Sequence, residues 1–343
     1  MKKPYSITRF LSLVGLPLVV LLIGEPARAV DDGPRTYWKT RAGTNIVSVQ
    51  YLNLHLLASD SLQFDPTSYI YPAADVSADI FLASFARHMT LFNRPTVVSA
   101  NVVAGSVHVD FDISRTPPAF LPPGVVPSTS FSQATSGYAD PAIQIDMNLF
   151  GTPPLNAGFD LLNYEPKWTL DVAVMLGIPV GEYDSDKVVN LGLNRTYGRI
   201  AFPFKYHFGV FAPGYMRSLE IIPSVWLFGE NDDYVGQKLD NDPLWQLEAH
   251  WTQDFTRHFY GSIDLLYRKG FQSKFNGIDV GDDLEVGDIG FTLNYQVTDN
   301  LTLRTSYSSN VFGNNKIDNS LIRFQIVYGW NQAMQNLMKL GRE

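Results

Sequence analysis

His250 is where chemistry would be sought first. Glu248 stands two positions before it on one expected strand, and Ser262 lies on the next. A carboxylate, an imidazole and a hydroxyl are the parts of a hydrolytic relay. No motif around Ser262 marks it as a nucleophile, and the other five of the six histidines lie outside any catalytic spacing. The chain has no cysteine, which removes thiol catalysis, disulfides and thiolate metal sites together. Acidic pairs recur at Asp184/Asp186, Asp232/Asp233 and Asp240/Asp242, with a triplet at Asp282/Asp283/Glu285. None has the spacing of an EF-hand loop, so a solvated acidic rim is expected, the alternative being divalent bridges to lipopolysaccharide phosphates. No enzymatic activity, resident metal or cofactor is therefore expected.

The elements that must position these groups are strands. In Leu321–Trp330, Ile322, Phe324, Ile326, Tyr328 and Trp330 fall on one face and Arg323, Gln325 and Gly329 on the other. A period of two, apolar on one side and polar on the other, fits a sheet between lipid and water. Beyond the N-terminus no run reaches the roughly 18 apolar residues of a spanning helix. Apolar residues nonetheless make up 45% of the chain and aromatics 13%. Alternation along strands accommodates such a composition without long apolar runs.

Lys2, Lys3 and Arg9 bracket the start of an apolar run from Phe10 to Gly24, and Ala27-Arg28-Ala29 follows. These are the parts of an export leader, so residues 1–29 are expected to be a signal peptide, cleaved near Ala29 after Sec export. Pro17 and the shortness of the run argue against a membrane anchor. Without the leader, 22 basic residues face 33 acidic ones. That balance excludes a nucleic-acid partner, which needs a basic footprint.

Residues 30–330 are expected to form an all-β, transmembrane antiparallel up-and-down barrel of about 12 strands, and 331–343 a C-terminal tail. The strand-like runs are 45–59, 76–92, 97–112, 138–150, 167–180, 199–210, 218–229, 244–255, 259–270, 284–297, 301–312 and 320–330. Short turns such as Asn93-Arg94-Pro95-Thr96 and Thr298-Asp299-Asn300 alternate with long polar loops. Turns then belong to the periplasm and loops to the outside of a Gram-negative outer membrane. The first run changes phase at Tyr51-Leu52-Asn53-Leu54, as at a bulge. Aromatics gather at run ends, with Phe92, Phe208, Trp251, Phe259, Tyr295 and Trp330 on the periplasmic side. Phe111, Trp226, Trp245, Tyr267 and Tyr307 fall on the outer side, completing two girdles.

Counting from the lipid-facing residues puts Asp171, Arg199, Lys205, Glu248, His250, Asp264, Arg268, Arg304 and Arg323 in the lumen, along with Asp110, Asp146, His207, Glu220 and Asp288. Two uses are open for them. They pair with one another and brace the wall, or they form a polar track that orients a small solute. Eight-stranded barrels are filled by side chains and those of about 16 to 18 strands hold aqueous channels; a middling barrel admits a small molecule if nothing blocks it. The stretch Pro117-Pro118-Ala119-Phe120-Leu121-Pro122-Pro123 could fold inward as a constriction or remain a loop. The favoured function is passive passage of small compounds, selected by constriction size and lumen charge. Its competitor is a closed structural or adhesive barrel acting through acidic outer loops.

Three stretches carry a family resemblance. One is Gly137-Tyr138-Ala139-Asp140-Pro141. The second runs from Ile178-Pro179-Val180-Gly181-Glu182-Tyr183-Asp184 to Val189-Asn190-Leu191-Gly192-Leu193-Asn194-Arg195. The third combines Asp240-Asn241-Asp242-Pro243, Tyr267-Arg268-Lys269-Gly270 and the closing strand. Together they resemble the outer-membrane transporters named for the MetA pathway of phenol degradation. The resemblance implies a barrel that passes small, often aromatic, compounds, with Asp140, Pro141, Gly181, Tyr183, Asn190, Gly192, Asn194 and Arg195 as shared residues. Expected partners are outer-membrane lipid and lipopolysaccharide, the outer-membrane assembly machinery and a small-molecule permeant. Val180 departs from the family's Thr, and Asn331 to Glu343 follow the terminal aromatic that assembly ordinarily reads. Arg195 is expected to hold its loop by pairing with Asp184 or Asp186.

Overall fold

The computed structural model describes residues 31–58, 70–115, 129–156, 164–280, 283–313 and 317–331. The leader, the Pro117–Pro123 stretch and the tail beyond Asn331 lie outside these residues. The first six strands are β1 (Thr44–Ala58), β2 (Ile70–Leu91), β3 (Arg94–Arg115), β4 (Thr129–Tyr138), β5 (Ala142–Phe150) and β6 (Trp168–Gly177). Next come β7 (Tyr197–Ala201), β8 (Phe204–Phe208), β9 (Arg217–Phe228), β10 (Asn231–Tyr234), β11 (Gln237–Asn241) and β12 (Leu244–Asp254). The last are β13 (Phe259–Gly270), β14 (Ser273–Phe275), β15 (Ile278–Val280), β16 (Leu284–Gln296), β17 (Leu301–Gly313) and β18 (Ile317–Asn331).

They make one closed antiparallel barrel of twelve staves and a small four-stranded sheet, β10-β11-β14-β15. Two staves are interrupted: β4 and β5 pair in turn with β3, and β7 and β8 pair in turn with β9. Pro203 explains the second break, because a residue without an N–H cannot continue a ladder. Pairing of β1 with β18 and of β9 with β12 completes the ring. Among the described residues the ring then has no free edge for lipid to meet, as a bilayer requires. No described helix is long and apolar enough to cross a membrane.

Thr44, Asn331 and the short turns lie at one end of the ring. There Phe92 and Asn93 both take positive φ, 50° and 60°, the backbone that a two-residue hairpin turn demands. The segment Gly151 to Pro166 also lies at this end, and its described residues form neither strand nor helix. Leu155 there is buried and accepts the Ala42 amide at 2.9 Å.

Through the lipid band the alternation holds. On β12, Trp245, Leu247 and Trp251 are exposed while Gln246, Glu248, His250 and Thr252 are buried. On β18, Ile322, Phe324, Ile326 and Tyr328 are exposed and Arg323 is buried.

Toward the outer end the pattern inverts. β2 and β3 are each 22 residues long, against the roughly 9–11 that cross a bilayer. In their outer halves Val76, Ala78, Ile80, Val107, Val109 and Phe111 point inward and are buried. Asp75, Ser77, Asp79, Ser106, His108 and Asp110 point outward. Above the lipid, water lies outside the wall, so the apolar half of the alternation must turn in.

This corrects three expectations. Asp110 is not in the lumen; it faces out, 3.1 Å from His108. Phe111 and Trp226 are not girdle residues, being 3% and 0% exposed inside the barrel. No bulge occurs at Tyr51–Leu54, since the register of β1 with both neighbours is continuous. Leu52, Leu54 and Leu56 simply face an apolar interior.

Candidate functional site

The site is the lumen, and it has two closures. The inner one is the segment 31–43, which enters from the short-turn end ahead of β1 and turns at Gly33 and Arg35, both at positive φ. It is held mostly by side chains from β5 to β9, β12 and β13, with Arg323 of β18 and His88 of β2 besides. Asp32 binds Arg199 at 2.7 Å and its amide donates to Glu248 at 2.8 Å. Arg35 pairs with Asp254 at 2.7 Å and stacks on Tyr260 with 3.9 Å to the ring centre. The Trp38 indole donates to Glu220 at 2.9 Å. Lys39 bridges Asp146 and Asp171, Lys205 donates to the Tyr37 carbonyl at 2.7 Å, and Arg323 clasps Asp31 at 2.8 Å.

Buried charges are tolerable only when paired and hydrogen-bonded, and here the pairing is mutual between segment and wall. All nine lumen candidates point inward, but six of them contact the segment: Asp171, Arg199, Lys205, Glu248, His250 and Arg323. Of the rest, Asp264 bonds His250 at 2.8 Å, Arg268 pairs with Asp288 at 2.9 Å, and Arg304 donates to Tyr260 at 2.9 Å. Sequence reasoning missed Asp31, Asp32, Arg35, Trp38 and Lys39 because the segment has no periodicity. The available signal was a cluster of aromatic and basic residues standing between leader and first strand.

The opposite wall is different. Ser48, Gln50, Ser84, Ser99, Asn101 and Gln144, from β1, β2, β3 and β5, are neutral and border a cavity of about 260 Å³ between wall and segment. The same cavity is also bordered by charged groups of the wall, Asp146, Arg199, Arg304 and Arg323 among them, so the space left beside the segment is polar and mixed in charge.

The outer closure is the loop 178–196 with the four-stranded sheet. Val188, Val189, Leu191, Leu193, Tyr234, Leu239, Phe271 and Phe275 pack with Val107, Val109 and Phe111 in one apolar layer. The residues shared with the family build this cap. Asp140 is buried and accepts the Gly181 amide at 2.7 Å and the Leu193 amide at 2.8 Å. Gly181 and Gly192 lie so close that an added Cβ on either would sit 2.7 Å from backbone. Asn190 closes the loop on Asp184 and Lys187, and Tyr183 bonds Asn231 and the Asp233 carbonyl at 2.9 Å. Burial pushes the Tyr183 phenol up to about 12. Asn194, at φ 54°, bonds Asn231 at 3.0 Å. Arg195 stacks over Phe228 at 5.0 Å and donates to the Gly229 carbonyl, while Asp184 lies 3.9 Å from Lys187.

An Asp140→Ala substitution would strand the buried Leu193 amide, at about 1–3 kcal/mol, and the half-buried Gly181 amide at less. Protease is then expected to cut within 178–196 while the barrel keeps its folded, heat-modifiable mobility on a gel. A loop still protected in that variant would show the two hydrogen bonds to be dispensable.

A closed twelve-stave ring with an apolar belt, a polar lumen and both described ends at the short-turn side defines a β-barrel of the outer-membrane channel fold. The chain belongs to the family described as "Putative MetA-pathway of phenol degradation", whose model matches residues 59–326. Among solved structures it is similar to the COG4313 outer membrane channel from Pseudomonas putida F1, with TM-score 0.65 and 15% identity over 88% of this chain and 100% of that one. It is also matched by the β domain of the Bordetella autotransporter BrkA, at TM-score 0.46 and 10% identity over 84% and 100% of the two chains. No curated protein sequence matches it.

Proposed function

We propose that the protein is a gated outer-membrane channel for passive uptake of small compounds, aromatic or hydrophobic ones among them. One observation carries this reading: the inner part of the lumen is filled by a separable segment rather than by its own wall. A barrel built only as a scaffold would be expected to fill itself with wall side chains. The cavity beside the segment, about 260 Å³, exceeds the roughly 150 Å³ apolar void known to take benzene. Its border is polar and mixed in charge, with Arg199, Arg304 and Arg323 set among Asp31, Asp32 and Asp146, and the apolar outer layer suits an aromatic ring. The family's name points to the same class of solute. Removal of the leader near Ala29 completes the reading, since it would leave Asp31 close to the start of the exported chain.

The packed outer layer favours the second reading, a closed structural barrel. Benzoate and glucose uptake by proteoliposomes separates the two. Benzoate entry above that of protein-free vesicles is expected, with glucose slower; a barrel passing neither solute is closed.

A further inference from the structure

Where the inner segment meets the wall, we infer a divalent metal site formed by Asp31, His250 and Asp264. His250, on β12, is fully buried among three carboxylates. Its Nδ1 lies 2.8 Å from Asp264 Oδ1 on β13 and 3.9 Å from Asp31 Oδ2 on the segment. One donor atom from each residue lies within 4.8 Å of the other two. A zinc-like ion holds N and O donors at about 2.0–2.2 Å, which sets tetrahedral neighbours about 3.4 Å apart. The two observed separations straddle that value and the third lies within 4.8 Å, so an ion is seated once the side chains close around it.

The surroundings are those a metal site needs. A metal-bound imidazole usually directs its second nitrogen to a carboxylate. His250 Nε2 lies 3.4 Å from Glu248 Oε2, off hydrogen-bonding geometry, and has no hydrogen-bond partner otherwise. Thr292 Oγ donates to Asp264 Oδ2 at 2.7 Å, and Arg323 donates to Asp31 Oδ1 at 2.8 Å. Each ligand carboxylate therefore keeps one oxygen turned toward the imidazole and the other anchored. One nitrogen and two oxygens suit a first-row divalent ion such as Zn²⁺ better than Ca²⁺, which gathers six to eight oxygens. Two ligands come from the wall and one from the segment, so the ion acts as a latch. In its absence Nδ1 keeps only its hydrogen bond with Asp264, and Asp31 stands 3.9 Å off.

The latch rests on the channel reading; the binding does not. Whole, processed barrel in detergent, stripped with EDTA, would be titrated calorimetrically with ZnCl₂. One saturable site is expected, weakened by about 10–100-fold or more in Asp31→Asn, with slower amide exchange over residues 31–40 when zinc is present. Asp31 is not part of the wall, so that variant tests the site even if Asp264→Asn fails to fold. Absence of a stoichiometric site, affinity unchanged in Asp31→Asn, or exchange over 31–40 indifferent to zinc would each overturn the latch. A barrel that binds zinc as described but passes no solute refutes the channel and leaves the site standing.

Discussion

Deleting residues 31–42 should raise single-channel conductance several-fold and leave the barrel folded. The wall does not depend on the segment for closure, since β1 begins at Thr44 and its ladders to β2 and β18 are complete without it. What the segment supplies is volume and countercharge. Once it is gone, Asp146, Glu220 and Asp254 lose Lys39, Trp38 and Arg35. They would then face water entering a wider lumen rather than a dry interior, so hydration replaces the missing partners. Planar-bilayer recordings of the deletion beside wild type measure the change. Equal conductance would mean that the apolar cap, and not the segment, limits flow.

Arg199→Met is expected to be the most damaging single substitution. Arg199 is 3% exposed and binds Asp32 at 2.7 Å and Glu248 at 2.8 Å, with its guanidinium 5.1 Å from the Trp226 ring. Methionine replaces its volume but leaves Glu248 buried without its cation. Breaking such a pair costs about 3–5 kcal/mol. Arg199→Lys keeps the charge but not the two-armed geometry, and should fall between. Lys238→Met is the comparison: its pair with Glu230 is exposed, so its loss is worth about 0–1 kcal/mol. Guanidinium unfolding of the refolded barrels gives all three values. A loss in Arg199→Met as small as that in Lys238→Met would mean that water already reaches Glu248.

How much could be read in advance follows from what each residue faces. Glu248, His250, Asp264 and Arg323 were legible as lumen residues because their strands have lipid on one side and polar space on the other. Asp110 and Phe111 were not, since they alternate just as regularly in a stretch where water is outside. Alternation reports a contrast between faces and does not say which face is wet. Trp226 differs for a related reason: an aromatic near a strand end suits a girdle, yet it shares its phase with Glu220, a lumen residue, and both are buried inside. The family motif identified Asp140, Gly181 and Asn190 but gave no hint of their task. Asp140 reaches amides 41 and 53 residues away, and contacts that distant have no local signature. The inner segment was invisible because it is irregular, and irregular backbone inside a barrel is stabilised wholly by tertiary partners.

The inverted outer half of the wall has a consequence for any nonpolar visitor. In a lipopolysaccharide leaflet such a molecule meets sugars first and hydrocarbon only afterwards. Along the axis of this protein the sequence of environments is reversed, with a packed apolar layer that includes Val107, Phe111, Leu191 and Phe275 standing ahead of an ionic layer. If the protein passes nonpolar solutes as proposed, that order would offer shelter at the height where the carbohydrate repels, and would move the hardest step of entry from the cell surface to the floor of the barrel.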